Sequence, residues 1–367
     1  MTASLIKSVR CLQLRLPFDH GAPPPLFAGT PRNTLDSGLV RVELADGTVG
    51  WGESYGADLD ALSSIFRNRV APLAVGRDAL DANLMTSMHR ALHLMGRSGP
   101  VVHALSGLDI ALWDIRGKLE GVPVHALLGG ARRTRIATYA SLLQYYDDAA
   151  LIQRNVSRAL EAGHREVKLH EKTTAAVAAA RNTMGAALPL MVDVNCAWSP
   201  RAAAAAVRDM APLAPLWVEE PVWPPEDTAA LATLRRQTGT AIAAGENASS
   251  AAQLAGMIAD REVDYVQPSA IKLGGLTPLW QIAQLCAGST VKLAPHCTCF
   301  GPGLLATLHV LAAHAHEVTA ERLFCDLGFT PYAGAMPLRK GAYELTDRPG
   351  LGADPEPEFI NGPYVRE

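Results

Sequence analysis

Three acidic residues stand at nearly even spacing, each at the end of a short apolar run. Asp193 ends PLMVD, Glu219 lies in LWVEE and Glu246 ends AIAAGE, with steps of 26 and 27 positions between them. This spacing is the length of one strand, one helix and two loops, which is one βα unit of a parallel barrel. Carboxylates that converge repel one another unless a cation lies between them. The pattern therefore predicts a metal site at the carboxyl ends of three successive strands.

The type of ligand indicates which metal this site would hold. Asp193, Glu219 and Glu246 all offer oxygen, which favours Mg²⁺ or Mn²⁺, whereas zinc would be expected to recruit His or Cys. Glu220 adjoins Glu219, but alternation along a strand directs its side chain to the opposite face. We therefore expect Glu219 as the ligand and Glu220 as a packing or helix-start residue before Pro221.

Basic residues flank the acids in strand order. Lys168 and His170, in VKLHEK, lie one strand before Asp193 and share a strand face because they are two positions apart. Lys272, in SAIKLGG, and His296, in APHCTCFGPG, lie one and two strands after the last acid. A metal between bases on both sides suits removal of a proton next to a carboxylate, with the metal stabilising the enediolate. We expect these four basic residues to be catalytic.

Length, composition and charge exclude several classes of protein. The 367 residues accommodate one large α/β domain with a smaller companion, and 49% hydrophobic with 19% charged residues is typical of a globular protein. A net charge of −3 gives no electrostatic reason to expect nucleic acid or a membrane surface as partner. No apolar run reaches the roughly 20 residues of a membrane span. Six scattered cysteines without a C-x-x-C pair, and a start without an apolar signal core, predict a reduced, cytoplasmic compartment.

The N-terminal section differs in pattern from the remainder of the chain. SVRCLQLRLPF and GLVRVELADGTVGWGESY alternate apolar and polar residues, and Asp46-Gly47 supplies a hairpin turn, so we expect an antiparallel sheet. The segment 20–33 between them contains three consecutive prolines and predicts a mobile loop without helix. GPVVHALSGLDIALWDIRGKLEGV has apolar residues at steps of three and four, which predicts a helix. Gly129-Gly130 then marks an expected domain boundary.

The remainder of the chain alternates strand and helix patterns. The predicted strands are 136–140, 166–170, 190–195, 216–219, 241–246, 265–268, 291–296 and 323–327. Eight strands alternating with helices favour a closed parallel barrel. A doubly wound open sheet is the alternative, and the absence of a Gly-rich phosphate fingerprint after the first strand disfavours it.

The motifs, in this order and spacing, resemble those of the enolase superfamily, in the branch of mandelate racemase and muconate lactonizing enzymes. The matching pieces are ALWDIRGKLEGVPVHALLGG, VKLH, MVDVN, WVEEP, AAGEN, KLGG and PH. The resemblance covers nearly the whole chain. It implies an α/β fold, a modified (β/α)₇β TIM-type barrel at 129–334, capped by an α+β domain at 1–128 that the tail from about 335 to 367 joins. It also implies a lid at 20–33 and a homo-oligomer, either a dimer or an octamer.

The resemblance also assigns roles to individual residues. Asp193, Glu219 and Glu246 match the Mg²⁺ ligands of the family, and Lys168 matches the first lysine of its K-x-K pair. His170 stands in place of the second lysine, which is the usual base.

Further roles concern the later strands and the substrate. Lys272 matches the sixth-strand lysine that is the base in the muconate-lactonizing and dipeptide-epimerase branches, and His296 matches the seventh-strand histidine. Glu321 resembles the eighth-strand glutamate that hydrogen-bonds the substrate carboxylate, and Asp326 is the alternative for this role. The expected substrate-contacting residues are His20, Glu53, Asn195 and Glu321.

Two departures from the family pattern favour one reaction. His170 is a base that titrates nearer neutrality than lysine, and Lys168 is the alternative for proton transfer on that side. Ser269 replaces an aspartate that pairs with the seventh-strand histidine, and serine orients a ring but supplies no charge. His296 should then be a poor base and serve as an acid. Dehydration of a polyhydroxy acid has this requirement, because one group takes the α-proton and another protonates the leaving β-hydroxyl.

The leading interpretation is a Mg²⁺-dependent lyase that dehydrates an acid sugar, a small carboxylate, to a 2-keto-3-deoxy acid. A racemase, epimerase or lactone cycloisomerase on the same scaffold is the alternative, since these enzymes share the enediolate step. A barrel that binds a metal and a carboxylate without turnover is a third interpretation, supported only by His170 and Ser269.

Overall fold

The computed structural model describes residues 4–27, 29–329, 331–332 and 336–367. Its first five strands are β1 (Ile6–Asp19), β2 (Leu26–Phe27), β3 (Thr30–Pro31), β4 (Thr34–Leu44) and β5 (Val49–Tyr55). β1, β4 and β5 form an antiparallel sheet, which confirms the prediction from alternation. Gly47 lies in the turn between β4 and β5 with φ of 90°, a value that glycine adopts without strain. The predicted hairpin turn is therefore confirmed.

The Pro-rich segment at 20–33 lies between β1 and β4. β2 and β3 pair antiparallel as a two-stranded ribbon, and the other described residues of this segment are irregular. The prolines explain this, since each fixes φ and removes a backbone donor. We call residues 20–33 the lid segment, with residue 28 outside the description.

Five helices follow the antiparallel sheet: α1 (Leu59–Ile65), α2 (Ala71–Ala74), α3 (Leu84–Ala91), α4 (Pro100–Glu120) and α5 (Val124–Leu127). The predicted long helix is α4, which starts with a proline and ends before Gly121 in the left-handed conformation. It lies directly on β5, because a Cβ added at Gly52 would lie 1.8 Å from the Gly107 oxygen. This close packing fixes β5, the strand that carries Glu53 and Tyr55.

The next part of the chain is a parallel barrel. Its strands are β6 (Arg135–Ser141), β7 (Val167–Leu169), β8 (Leu190–Asp193), β9 (Val218–Glu219), β10 (Ile242–Ala244), β11 (Tyr265–Val266), β12 (Lys292–Leu293) and β13 (Ala320–Leu323). They pair in the order β13-β6-β7-β8-β9-β10-β11-β12. The helices between them are α6 (Ala149–Glu161), α7 (Thr174–Met184), α8 (Pro200–Met210), α9 (Thr228–Thr238), α10 (Ala251–Ala259), α11 (Leu276–Ala287) and α12 (Pro302–Ala313).

Contacts between the first and last strands of this order close the barrel. The backbone N–H of Cys297, beyond β12, donates to Glu321 of β13 at 2.8 Å. Seven strand–helix units followed by an eighth strand give the (β/α)₇β architecture that the family resemblance implied. Local sequence also sets where the barrel helices begin. Short polar side chains accept hydrogen bonds from the first turns of α6 to α10: Asp148, Thr173, Ser199, Asp227 and Ser250.

The last barrel strand begins three residues earlier than predicted. The sequence favoured 323–327 because LFCDL is more apolar than AERL, but β13 ends at Leu323. Residues Asp326 and Leu327 form a separate strand, β14 (Asp326–Leu327), which pairs with β1 of the antiparallel sheet. The prediction was wrong because the inward-facing Glu321 is stabilised by ionic partners that no local pattern reveals.

The C-terminal tail contacts both parts of the protein. β15 (Ala342–Glu344) pairs with β6 of the barrel, whereas β16 (Val365–Arg366), after α13 (Pro357–Ile360), pairs with β1. The predicted boundary near 334–335 lies outside the described residues, and the limits of the two domains stay predictions. Within the described chain, no helix is long and apolar enough to cross a membrane.

Candidate active site

A cavity of about 520 Å³ lies at the carboxyl ends of the barrel strands, next to the lid segment. Lid and cap residues on its wall include Pro25, Leu26, Phe27, Arg32 and Tyr55. Barrel residues on its wall include His170, Lys172, Asp193, Asn195, Trp223, Glu246, Asn247, Lys272, His296 and Thr298. Its volume suits a small ligand. The cavity therefore lies where strand order predicts the active site of a barrel.

Lys168 is the buried centre of an ionic network. Its Nζ atom lies 2.6 Å from Oε1 of Glu219, 2.8 Å from Oε1 of Glu321 and 3.3 Å from Oδ2 of Asp193, and its side chain is 0% exposed. Burial opposes its charge, but these carboxylates raise the pKa of Lys168 well above its ordinary value. Among the described residues, those that line the cavity do not include Lys168. In this structure it neutralises carboxylates beneath the cavity.

His170 faces the cavity from the adjoining position. Its Nδ1 atom contacts the carbonyl oxygen of Leu142, and its Nε2 atom lies 2.9 Å from Oδ2 of Asp193. A carbonyl oxygen only accepts, so Nδ1 carries a proton and holds the ring in place. Nε2 is therefore the atom directed at the acid cluster.

Asp193 is fixed from both sides of its carboxylate. Oδ1 accepts from the backbone N–H and the side-chain amide of Asn195, at 3.0 and 2.9 Å. Burial opposes ionisation, but His170 and Lys168 lower the pKa of Asp193 below its ordinary value. Asn195 has φ of 46°, a left-handed conformation that asparagine tolerates. The predicted Asn195 thus lines the cavity and orients a candidate ligand.

Glu219 and its neighbour Glu220 make different contacts. The indole N–H of Trp217 donates to Oε2 of Glu219 at 2.9 Å, while burial and Asp193 raise the pKa of Glu219. Glu220 accepts from the backbone N–H of Gly245 at 2.9 Å, and burial raises its pKa to about 7. Glu220 therefore ties the end of β9 to the loop that carries Glu246. Apart from the acidic pair itself, no sequence pattern indicates this bond.

His296 lies on the opposite side of the acid cluster from His170. Its Nδ1 atom is 2.7 Å from Oε2 of Glu246 and 3.3 Å from Oε2 of Glu321. Burial opposes protonation, but both carboxylates raise the pKa of His296 well above its ordinary value. Ser269, as predicted from the sequence, supplies no charge. Glu246 and Glu321 supply the carboxylates that contact the ring instead, and the role of His296 as an acid stays a prediction.

The acidic side chains form a donor set that fits a hard divalent cation. Ligand atoms of Glu219, Glu246 and His296 lie within 4.8 Å of one another. Asp193 is directed instead to His170 and Lys168, and so stands outside this closest group. Buried carboxylates this close to one another require cationic partners, and oxygen ligands favour Mg²⁺. The predicted trio of ligands stays a prediction.

Lys272 lies in the turn after β11 and not on a strand, which corrects the predicted position. Its Nζ atom lies 5.3 Å from the centre of the Tyr55 ring, and its side chain is part of the cavity wall. The turn is anchored from α4, because Ser106 accepts from the N–H of Gly274 at 2.8 Å and Asp109 accepts from the N–H of Thr277 at 2.8 Å.

Glu53 and His20 are buried and are not among the described residues that line the cavity. Glu53 is 1% exposed and accepts from the N–H of Gly303 at 2.9 Å, and burial raises its pKa. It lines a small cleft that adjoins the cavity at Arg32 and Tyr55. His20 is 2% exposed and stacks on a neighbouring tyrosine ring. The substrate-contacting roles of both residues stay predictions.

Asp326, the alternative to Glu321, lies away from the acid cluster. Its carboxylate is 2.8 Å from the guanidinium of Arg158, and its side chain is 73% exposed. Glu321, in contrast, contacts Lys168 and His296. The alternative role for Asp326 is wrong, because β13 and β14 belong to different sheets.

Several cavity residues had no predicted role. Arg32 and Lys172 add positive charge, and Trp223 is an exposed aromatic side chain at the cavity wall. A signal for Arg32 existed, because it is the one Asp, Glu, Lys or Arg residue in the lid segment. No comparable pattern marks Trp223.

Two family models match the chain. Residues 18–129 match the mandelate racemase / muconate lactonizing enzyme N-terminal domain, and residues 151–359 match the enolase C-terminal domain-like model. D-galactonate dehydratase from Xanthomonas campestris pv. campestris is 32% identical, covering 93% of this chain and 91% of its own. A 3,6-anhydro-alpha-L-galactonate cycloisomerase from Streptomyces coelicolor is 28% identical, covering 95% and 96%. A racemase structure from S. coelicolor A3(2) with bound magnesium has a TM-score of 0.83 at 26% identity, covering 95% and 96%.

Proposed function

Because the chain belongs to the mandelate racemase / muconate lactonizing enzyme family of the enolase superfamily, we propose that it is a Mg²⁺-dependent acid-sugar dehydratase. It removes the proton α to the substrate carboxylate and eliminates the β-hydroxyl, which yields a 2-keto-3-deoxy acid. The observation that carries this proposal is the pair His170 and His296, which line one cavity on either side of the candidate metal ligands.

The carboxylates of Asp193, Glu219 and Glu246 would hold the cation, and Mn²⁺ is the expected substitute for Mg²⁺. When bound, the cation polarises the substrate carboxylate and stabilises the charge of the enediolate. Lys168 lies beneath these carboxylates and keeps Glu219 and Glu321 in position.

His170 takes the α-proton on one side of the substrate. Its Nδ1–H donates to the Leu142 carbonyl oxygen, so Nε2 is the nitrogen that accepts the proton. The sequence left Lys168 as an alternative base. The enclosed position of Lys168 and the cavity-facing position of His170 support His170.

His296 gives a proton on the other side. The bond from the β-carbon to its hydroxyl breaks, and the hydroxyl leaves as water with the proton that His296 donates. The enol that remains becomes the 2-keto acid. Glu246 and Glu321 hold the His296 ring in position for this transfer.

A lactone cycloisomerase is the second candidate function, favoured by the similarity to the S. coelicolor enzyme. It shares removal of the α-proton but moves atoms within the substrate and releases no water. A racemase or epimerase would also conserve the substrate formula. The substrate in each case is a small sugar acid, and the dimeric or octameric state and cytoplasmic location stay predictions.

The experiment is incubation of purified protein and Mg²⁺ with a panel of sugar acids and their lactones. Detection of a 2-keto acid by its semicarbazone, with one water lost by mass spectrometry, supports dehydration. A product of unchanged mass would support the isomerase instead. His296→Asn should abolish release of water while exchange of the α-proton continues. A variant that still releases water as fast as the original protein would contradict the acid role.

A further inference from the structure

We propose that Glu171 is a positioning residue, which holds the loop between β6 and α6 and thereby fixes both the ring of His170 and the start of the lid segment. We call residues 142–148 the β6–α6 loop. This inference deepens the proposed function, on which it rests for the role of His170 as the base. Glu171 is a buried carboxylate that the proposed reaction does not use.

In the described chain, the hydrogen bonds of the Glu171 carboxylate come from the β6–α6 loop. Glu171 follows His170 directly, yet it is 2% exposed and is not among the described residues that line the cavity. Its Oε1 atom accepts from the backbone N–H of Tyr145, and its Oε2 atom accepts from the backbone N–H of Asp147 at 3.1 Å. Burial raises the pKa of Glu171, and these two N–H groups oppose that shift. A buried carboxylate that accepts from two backbone donors of one loop restrains the backbone of that loop.

Two residues of the loop have backbone conformations that need support. Tyr146 and Asp147 have φ of 57° and 60°, in the left-handed region that residues other than glycine rarely adopt. The two N–H groups that Glu171 binds lie on either side of Tyr146 along the backbone. The hydroxyl of Thr173 also donates to Oδ1 of Asp147 at 2.7 Å. Glu171 and Thr173 therefore stabilise this turn from the segment that follows β7.

The same turn contacts the start of the lid segment. The buried ring of Tyr145 stacks on the ring of His20 with 5.6 Å between their centres, and the Tyr145 hydroxyl donates to the His20 carbonyl oxygen at 3.4 Å. The Tyr146 hydroxyl donates to the carbonyl oxygen of Pro24 at 2.7 Å. Because the backbone of the turn sets the direction of both tyrosine side chains, loss of its conformation would release the lid segment from the loop.

The first residue of the loop holds the ring of the proposed base. The carbonyl oxygen of Leu142 accepts from Nδ1 of His170, which leaves Nε2 directed at the acid cluster. Leu143 and Gln144, the next two residues, line the cavity. Glu171 is joined to His170 by a peptide bond and to the loop by its carboxylate. It therefore keeps the Nδ1–H donor and the Leu142 acceptor together.

Proton exchange at His170 tests this role without any substrate. In protein labelled with ¹⁵N-histidine and loaded with Mg²⁺, the Nδ1–H proton of His170 is identified by its absence from His170→Asn. Glu171→Gln replaces one acceptor oxygen by an N–H₂ group, so one hydrogen bond to the loop is lost and this proton should exchange with water roughly tenfold faster. Glu166→Gln is the matched control, because Glu166 is a half-buried glutamate just before β7 that accepts from Thr319. Equal exchange in the two variants would overturn the proposal.

Trypsin cleavage after Arg32 tests the contact with the lid segment. Arg32 lies in this segment, so the rate at which the fragment of residues 1–32 forms measures local opening of the lid. With Mg²⁺ present, cleavage should be roughly tenfold faster in Glu171→Gln than in the original protein and unchanged in Glu166→Gln. An equal increase in Glu166→Gln would indicate general destabilisation and overturn the proposal, as would unchanged cleavage in Glu171→Gln.

Kinetics separate this proposal from the dehydratase function. With a sugar acid that the protein converts, Glu171→Gln should lower kcat roughly tenfold, and Glu166→Gln should leave kcat within about twofold. An unchanged kcat in Glu171→Gln would overturn the role in positioning the base. If no sugar acid is converted, the dehydratase function fails, and the exchange and cleavage experiments still decide the role of Glu171.

A second variant keeps the proposal testable if Glu171→Gln does not fold. Thr173→Val removes the other support of the turn at an exposed position, and Thr173→Ser keeps the hydroxyl as its control. Thr173→Val should speed both proton exchange at His170 and cleavage after Arg32, while Thr173→Ser should change neither. Absence of both changes in Thr173→Val would overturn the proposal.

Discussion

The Nε2 atom of His170 lies 2.9 Å from Oδ2 of Asp193, at the wall of the main cavity. The same carboxylate oxygen lies 3.3 Å from Nζ of Lys168, which is fully enclosed. Two basic residues on one strand face thus contact one acid from different depths. We expect substitution of the outer residue to affect chemistry and substitution of the inner residue to affect stability.

His170→Asn tests the chemical role. An amide can still donate to the Leu142 carbonyl oxygen but cannot accept the α-proton, so kcat should fall on the order of 10²- to 10⁴-fold. Mg²⁺ binding, measured by calorimetry on the same variant, should change little. A variant with normal kcat and only a raised KM would contradict the role as base.

Lys168→Met tests the structural role. The substitution keeps the length of the side chain but leaves Glu219 and Glu321 without their cationic partner in a fully buried site. Removal of one member of a buried ionic network costs about 3–5 kcal/mol, and urea unfolding measures this loss. Lys172→Met is the matched control, and as an exposed substitution it should stay within about 0.5 kcal/mol of the original protein. Equal stability of the two variants would refute the assignment.

Removal of the divalent cation should abolish activity and lower stability. A cation that binds only the folded protein adds about 2.7 kcal/mol to the free energy of unfolding at 100 times its Kd. Dialysis against a chelator, followed by thermal unfolding with and without Mg²⁺, measures this difference. Glu246→Gln should lose most of the stabilisation by Mg²⁺, and Mn²⁺ should restore activity to the original protein. Full activity after chelation would exclude the metal site.

Asp109 gives a prediction about pH. Burial raises the pKa of this carboxyl to about 6 from an ordinary value of 3.8, although Thr277 donates to it. The folded protein therefore holds this proton more tightly than the unfolded chain, so the stability contributed by Asp109 falls as pH rises from about 4 to 6. The difference in unfolding free energy between the original protein and Asp109→Asn should fall by about 2 kcal/mol from pH 4.5 to 7. Denaturant curves at both pH values check this, and a difference independent of pH would contradict it.

The sequence was sufficient to predict the architecture and the acid cluster. Asp193, Glu219 and Glu246 follow local apolar runs, and their even spacing reflects the repeated βα unit that forms the barrel. Helix α4 and the hairpin at Asp46-Gly47 also follow from local patterns. Features with a local physical cause were therefore predictable.

Features that depend on barrel closure were not predictable. Lys168 and His170 share a strand face, but their different depths depend on the ends of β7 and on the partners below it. Glu321 contacts His296 because β13 and β12 meet around the barrel, and the spacing along the chain does not reveal this contact. The position of Arg32 at the cavity wall likewise becomes evident only when the lid segment is placed over the barrel.

Exchange of the α-proton tests the central claim most directly. The protein with Mg²⁺ is incubated with each sugar acid of the panel in D₂O, and mass spectrometry and ¹H NMR follow the remaining substrate and the product. We predict that the original protein forms the 2-keto-3-deoxy product with one solvent deuterium at C3, gained when the enol becomes the ketone, and that the remaining substrate gains deuterium at its α-carbon. His170→Asn should lose both this exchange and the product. Product formation by His170→Asn at the original rate, or absence of both exchange and product across the whole panel of sugar acids, would contradict the account.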